Sequence, residues 1–148
     1  ASSLLYSMVM GSYAFGARVP SINEMPINDK LFIIQSDIIK KAAAEGPCVI
    51  IGRCADYILR EHENCLNVFV HADKAARIKR IVGLGHCEEK KAPDFVTKKD
   101  KQRANYYNFY SNNRWDDLLN YDLTIDTSRF SVDLAVDMVI DAAKMLDK

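Results

Sequence analysis

The chain has 148 residues, a length that suits one domain with a single sizeable core. Hydrophobic residues make up 49% and charged residues 27%, which are ordinary values for a globular protein. Twenty basic and twenty acidic side chains cancel, so no overall field draws the protein to nucleic acid or anionic lipid. No apolar run approaches the ~20 residues of a membrane span, and the four cysteines lack a C-x-x-C spacing. We therefore expect a cytoplasmic protein with no nucleic-acid or membrane partner; the oligomeric state is left open.

Residues 1–27 are predicted to form an apolar helix followed by an irregular connection rich in Gly, Pro, Ser and Asn. Gly11 and Gly16 have the spacing of a Walker A phosphate loop. However, Ala17 and Arg18 follow where that motif requires Lys and then Ser or Thr. We therefore assign no phosphate loop to this segment.

The next segment is predicted to be an amphipathic helix that begins at Asn28, as its N-cap, and ends at Gly46. Apolar residues recur at steps of three and four, and two more widen the stripe. The predicted buried stripe consists of Leu31, Ile34, Ile38 and Ala42, widened by Phe32 and Ile39.

The run Cys48–Ile51 is apolar without polar alternation, which predicts a strand buried on both faces of a parallel sheet. Gly52 and Arg53 follow at its carboxyl end, where open α/β sheets bind ligands. The planar guanidinium of Arg53, beside a glycine that lets the backbone approach closely, suits a bound phosphate. An arginine paired with a carboxylate at a sheet edge explains the same pattern.

A short helix over residues 55–61 precedes two further predicted strands, Leu66–Val70 and Tyr121–Asp126. Strands that alternate with helices predict an α/β fold with a parallel sheet. All three predicted strands have the pattern of buried strands, and three strands are few for a sheet that helices cover on both faces. We therefore expect strands that precede Ala1. Ser131 is predicted to cap the last helix. Its predicted core stripe is Leu134, Met138, Ala142 and Met145.

Two helices carry candidate phosphate ligands. Asp73 is predicted to cap the first, which carries Arg77 and Arg80. This helix is ended by Gly83 and Gly85 before a polar, mobile loop from His86 to Pro93. A solvated helix face is the other interpretation of these arginines. On the second helix, five residues at steps of four and three share one face: Val96, Asp100, Arg103, Tyr107 and Tyr110. The aromatic side chains of that face are expected to pack against the protein. The Asp-x-x-Arg pair in line with them indicates either a structural ion pair or a ligand site.

Four stretches, in the right order, resemble the cytidylate kinase-like family of P-loop nucleoside monophosphate kinases. They are Cys48–Tyr57, Phe69–Arg80, Asp100–Tyr110 and Tyr121–Ser128. The resemblance extends over essentially the whole chain from Ser2. It implies a single three-layer kinase-like domain, with a parallel sheet, helices on both faces, a mobile lid over residues 83–95 and an acceptor side over residues 1–27.

The family's first strand and glycine-rich phosphate loop have no match in this sequence. In the family that strand lies between those predicted at Cys48–Ile51 and Leu66–Val70. We therefore expect the sequence to be an incomplete domain that cannot transfer phosphate alone. For the complete protein, the resemblance implies transfer of the γ-phosphoryl group of ATP, with Mg²⁺, to a small acceptor such as a nucleoside monophosphate.

The resemblance also implies roles for individual residues. Arg53, beside Gly52, matches the arginine that binds the acceptor phosphate. Arg103, oriented by Asp100, matches an arginine after the lid that reaches the phosphates.

Arg77 and Arg80 are implied to reach the nucleotide from the entry side of the lid. Asp126, Thr127 and Ser128 are implied to lie near the adenine, although a simple turn explains them equally well. No residue is assigned as a metal ligand.

Two departures leave the acceptor base unassigned: Cys54 stands where cytidylate kinases carry an acidic residue, and His71 stands where an aspartate is common. Two other functions remain open. The first is a non-catalytic nucleotide-binding or regulatory module with the same fold. The second is a protein-interaction domain with an aromatic surface formed by Tyr106, Tyr107, Phe109, Tyr110 and Trp115.

Overall fold

The computed structural model describes residues 25–146, so the predicted N-terminal helix and the Gly11–Gly16 loop lie outside the described residues. The elements are, in chain order, α1 (Ile27–Glu45), α2 (Ala55–Ile58), β1 (Val68–His71), α3 (Lys74–Gly83), α4 (Ala92–Ser111), β2 (Leu123–Asp126) and α5 (Val132–Leu146). Short 3-10 helices cover Glu89–Lys91 and Leu118–Asn120. None of the helices in this range is both long and apolar enough to cross a membrane.

The described residues fall into two compact units. The first holds the chain up to Glu63 together with Tyr107–Asn113, and the second holds Asn64–Tyr106 and the chain from Arg114 onward. Helix α4 therefore contributes its carboxyl-terminal residues to the first unit and the rest to the second.

The core of the first unit is built around α1. Phe32 is almost fully buried, and its ring stacks on that of Tyr110 with the centroids 4.1 Å apart and the planes 9° apart. One turn further along α1, the buried Ser36 hydroxyl donates to the Phe32 carbonyl at 2.7 Å. This hydrogen bond satisfies the hydroxyl away from water. The Tyr110 hydroxyl donates to Asp29 Oδ1 at 3.1 Å.

The stripe of α1 that faces the core differs from the one predicted. Phe32 and Ile39 are buried as expected, but three predicted core residues are 46%, 53% and 61% exposed: Leu31, Ile34 and Ile38. Both stripes repeat at steps of three and four, so periodicity alone cannot choose between them. The helix also begins one residue before Asn28, because the carbonyl of Pro26, the N-cap, accepts the first backbone hydrogen bonds of α1.

The predicted strand at Cys48–Ile51 was wrong. The segment is irregular, and Val49 and Ile51 are 92% and 90% exposed rather than buried on both faces. A strand needs a neighbour to accept and donate its ladder hydrogen bonds, and no segment within residues 25–146 pairs with this one.

The second unit contains a parallel pair of strands, β1 and β2, which run in register from Val68 opposite Leu123 to His71 opposite Asp126. The prediction of an α/β chain with parallel strands is confirmed at this level; the three-layer arrangement stays a prediction. Ile125 of β2 is buried, and Phe69 of β1 packs edge-on against Trp115 with ring centroids 5.5 Å apart.

Local capping signals of the second unit are confirmed. The Asp73 carboxylate accepts from the Ala76 N–H at 2.7 Å at the start of α3, and Ser131 Oγ accepts from the Leu134 N–H at 3.2 Å at the start of α5. The predicted loop from His86 to Pro93 contains a 3-10 turn, and α4 begins at Ala92, near the end of that loop. The mobile lid over residues 83–95 stays a prediction.

The predicted core stripe of α5 was wrong in two of its four positions. Leu134 and Met145 are exposed, and Met138 and Ala142 are only half-buried. The buried residue of this helix is Ala135. A small residue lets a helix approach its neighbour closely, and hydrophobicity alone does not show this.

Candidate functional site

Arg53 lies in a turn of unusual backbone conformation. Gly52, Arg53 and Cys54 have φ angles of 68°, 60° and 56°, so three consecutive residues are left-handed. Glycine adopts this region readily, but residues with a Cβ do so at a cost. The turn is closed by a hydrogen bond from the Ala55 N–H to the Gly52 carbonyl at 3.2 Å, and Arg53 is exposed. Strained backbone of this kind is concentrated at ligand-binding sites.

Cys54 is buried immediately beside the exposed arginine. Burial, and to a lesser extent the Asp56 carboxylate, raises the pKa of the Cys54 thiol to about 12, although the charge of Arg53 acts in the opposite direction. The thiol is therefore neutral at physiological pH and is not an activated nucleophile. Its role in this turn is packing.

Asp56 accepts a hydrogen bond that the sequence did not reveal. The hydroxyl of Tyr107, on α4, donates to Asp56 Oδ2 at 2.5 Å, and the Tyr107 side chain is 95% buried. The predicted common face of α4 correctly placed Tyr107 and Tyr110 in the core. Because both side chains are buried, they cannot belong to the aromatic interaction surface considered as an alternative function.

Asp100 contacts two arginines in the second unit. Arg77 Nη2 donates to Asp100 Oδ1, and Arg103 Nη1 lies 3.5 Å from the same oxygen. Arg77 and Asp100 are about 30% exposed, and Arg103 is 61% exposed. The predicted contact between Asp100 and Arg103 is confirmed. The ion pair between Asp100 and Arg77 was missed, because no local pattern joins residues on α4 and α3.

These three side chains, Arg77, Asp100 and Arg103, form what we call the arginine cluster. Two guanidinium groups share one carboxylate, so the cluster carries a net positive charge. Arg80, one turn beyond Arg77, is exposed and forms no ion pair with any residue from 25 to 146, as expected of a solvated helix face.

The turn after β2 is held by hydrogen bonds. The Ser128 hydroxyl and N–H both donate to Asp126 and hold the pKa of this carboxyl below its usual range. The Thr127 hydroxyl donates to the His71 carbonyl at 3.0 Å, and Ser128 Oγ accepts from the Asp73 N–H at 3.2 Å. Their observed partners fit a structural turn that joins the carboxyl ends of both strands; contact with a nucleotide base stays a prediction.

The predicted site residues are distributed over both units. Gly52 and Arg53 belong to the first, whereas the arginine cluster and the Asp126–Ser128 turn belong to the second. Their convergence on one ligand therefore stays a prediction.

The side chains that could act as metal ligands show whether the described residues could hold Mg²⁺ by themselves. Between residues 25 and 146, no three His, Cys, Asp or Glu side chains lie together in a way that could hold a metal ion. Mg²⁺ in phosphoryl-transfer sites is generally held by one or two carboxylates together with substrate phosphates, so a protein cage is not required. We assign no described residue to this ion.

Comparisons with known proteins agree with the resemblance. The cytidylate kinase-like family matches residues 1–129. A solved structure, the crystal structure of an uncharacterized protein from Eubacterium ventriosum ATCC 27560, is similar with a TM-score of 0.75 and 34% sequence identity. The match covers 84% of this chain and 70% of that one. No curated protein matches the chain significantly. With seven-eighths of its length matched, this chain belongs to the cytidylate kinase-like family.

Proposed function

We propose that the full-length protein transfers the γ-phosphoryl group of ATP to a nucleoside monophosphate. The observation that carries the proposal is the arginine cluster, in which two guanidinium groups contact one carboxylate oxygen in a chain of a kinase-like family. A net positive cluster on neighbouring helices suits a phosphate, because guanidinium binds phosphate oxygens in a bidentate manner.

Phosphoryl transfer depends on positioning and charge neutralisation rather than on a covalent nucleophile. Arg103 is the most exposed member of the cluster, so its guanidinium is accessible to phosphate oxygens, while the Asp100 carboxylate orients it. Bound Mg²⁺ would neutralise further charge on the ATP phosphates.

Arg53 is assigned to the acceptor phosphate. Its exposed side chain, beside a glycine without a Cβ, leaves room for an anion. Three consecutive left-handed residues present the guanidinium from a fixed backbone, which lowers the entropy lost on binding. The neutral thiol of Cys54 cannot pair with the amino group of a base as a carboxylate does, so the base of the acceptor is left to experiment.

The test uses the full-length protein, to which the proposal applies. Turnover of CMP, UMP, AMP and GMP is followed by ADP release with ATP and Mg²⁺. We expect Arg53→Ala to lower turnover about 100-fold or more, by analogy with a lost oxyanion-hole donor (~3 kcal/mol), and to leave melting nearly unchanged.

Arg60→Ala is the matched control. Arg60 is also exposed, but it stacks on Tyr57 with its guanidinium carbon 4.5 Å from the ring centroid, so its loss should not alter turnover. Normal turnover of Arg53→Ala would remove Arg53 from the site. Thermal stabilisation by nucleotides without turnover of any of the four acceptors would favour the non-catalytic module instead.

A further inference from the structure

The left-handed turn at Gly52–Cys54 needs support from outside itself. Arg53 and Cys54 both carry a Cβ, and such residues hold positive φ only where surrounding structure over-determines the backbone. Helix α2, which follows directly, has four residues and no side-chain cap. A helix this short is not stable on its own, since its nucleation cost is not recovered.

The support comes from two kinds of contact within the first unit. The side chains of Cys54 and Ile58 are buried, which holds both ends of α2 against the core. Between them, Asp56 accepts the hydrogen bond of the Tyr107 hydroxyl at 2.5 Å. This is a polar contact that joins α2 to the long helix α4.

Tyr107 is itself firmly placed. Its side chain is 95% buried, and its carbonyl accepts from the buried Ser111 hydroxyl at 2.6 Å. A short hydrogen bond from a buried phenol to a carboxylate is strong and directional, so it fixes α2 in rotation as well as in position. The residue immediately before the buried Cys54 is Arg53.

We propose that Tyr107 and Asp56 are positioning residues for Arg53: their hydrogen bond holds α2 so that the left-handed turn presents the guanidinium to the acceptor phosphate. The inference rests on the proposed function of Arg53. Neither residue touches substrate in it; both act through the turn.

The test measures kcat and KM of the full-length Tyr107→Phe variant, with whichever of CMP, UMP, AMP and GMP the wild type uses fastest. This variant removes only the hydroxyl. We expect kcat/KM to fall about 10- to 100-fold, because misplacing a positioned group by ~1 Å has that effect. Because Tyr107 acts through Arg53, the loss should appear mainly in kcat, as it should for Arg53→Ala, and should leave KM for ATP unchanged.

Tyr121→Phe is the control, since the Tyr121 hydroxyl donates to the Trp115 carbonyl at 3.0 Å in the other unit. Its kinetic constants should match the wild type. Asp56→Asn retains an acceptor oxygen and should keep more activity than Asp56→Ala. This pair also provides a measurement should Tyr107→Phe fold poorly.

The double variant Arg53→Ala/Tyr107→Phe separates positioning from a general structural role. If Tyr107 acts through Arg53, the double variant is no less active than Arg53→Ala alone. If the double variant loses activity by the product of the two single losses, this inference alone is overturned. The same holds if Tyr107→Phe has normal activity while Arg53→Ala is impaired. Normal activity of Arg53→Ala, or no turnover of any acceptor, would overturn the proposed function and this inference together.

Discussion

The left-handed conformation of Arg53 makes a prediction about stability that is independent of any activity. At φ 60°, a residue with a Cβ is strained by roughly 1–2 kcal/mol relative to glycine. Arg53→Gly removes this strain, but glycine loses about 0.5–1 kcal/mol more backbone entropy on folding. We therefore expect Arg53→Gly to be more stable than Arg53→Ala by roughly 0.5–1 kcal/mol.

Arg53→Ala is the correct reference because both variants lose the same exposed side chain and its contacts. Free energies of unfolding are measured by urea denaturation for both variants. Melting temperatures should differ by roughly 2 °C in the same direction, given about 2–4 °C per kcal/mol for a domain of this size.

Lys79, an exposed residue inside α3, provides the opposite control. Its backbone is helical, so Lys79→Gly should be less stable than Lys79→Ala by about 1 kcal/mol. An Arg53→Gly variant that is less stable than Arg53→Ala would show that the turn is not left-handed in solution and would refute the reasoning.

Two further outcomes follow from the side-chain contacts. Asp100→Asn should lower the free energy of unfolding by about 1 kcal/mol, because Arg77 loses its partly buried partner. Arg80→Ala, as the control, should change it by less than about 0.5 kcal/mol. Equal effects of the two variants in urea denaturation would contradict the contacts of the arginine cluster. The raised pKa of Cys54 stabilises the folded state fully below pH 9, the ordinary thiol value, and this contribution is lost as the pH rises towards 12. Unfolding free energies should therefore fall more steeply above pH 9 in the wild type than in Cys54→Ala, and parallel curves would show that the thiol is not buried.

Contacts between residues a few positions apart could be predicted from the sequence. Asp73 and Ser131 cap their helices as predicted, since a cap needs only a short polar side chain three residues before its N–H donor. The contact between Asp100 and Arg103 was also predictable, because residues three apart on a helix are neighbours.

Contacts between residues far apart in the sequence could not be predicted. The predicted strand at Cys48–Ile51 relied on an apolar run, but a run of this kind becomes a strand only when a neighbouring strand pairs with it. For the same reason, the contact of Asp56 with Tyr107, 51 residues away, and that of Arg77 with Asp100, 23 residues away, could not be derived from spacing.

The amino-acid order by itself determined where α1 and α3 begin and end to within a residue or two, and where α5 begins. It also determined the shared face of α4 and the family to which the chain belongs. Only the tertiary structure decided which apolar stripe of α1 is buried and which carboxylate holds which arginine. It also decided that Arg53 stands in a left-handed turn. Helix ends are set by hydrogen bonds between near neighbours, whereas burial and ion pairing depend on surfaces that meet only after the chain has folded.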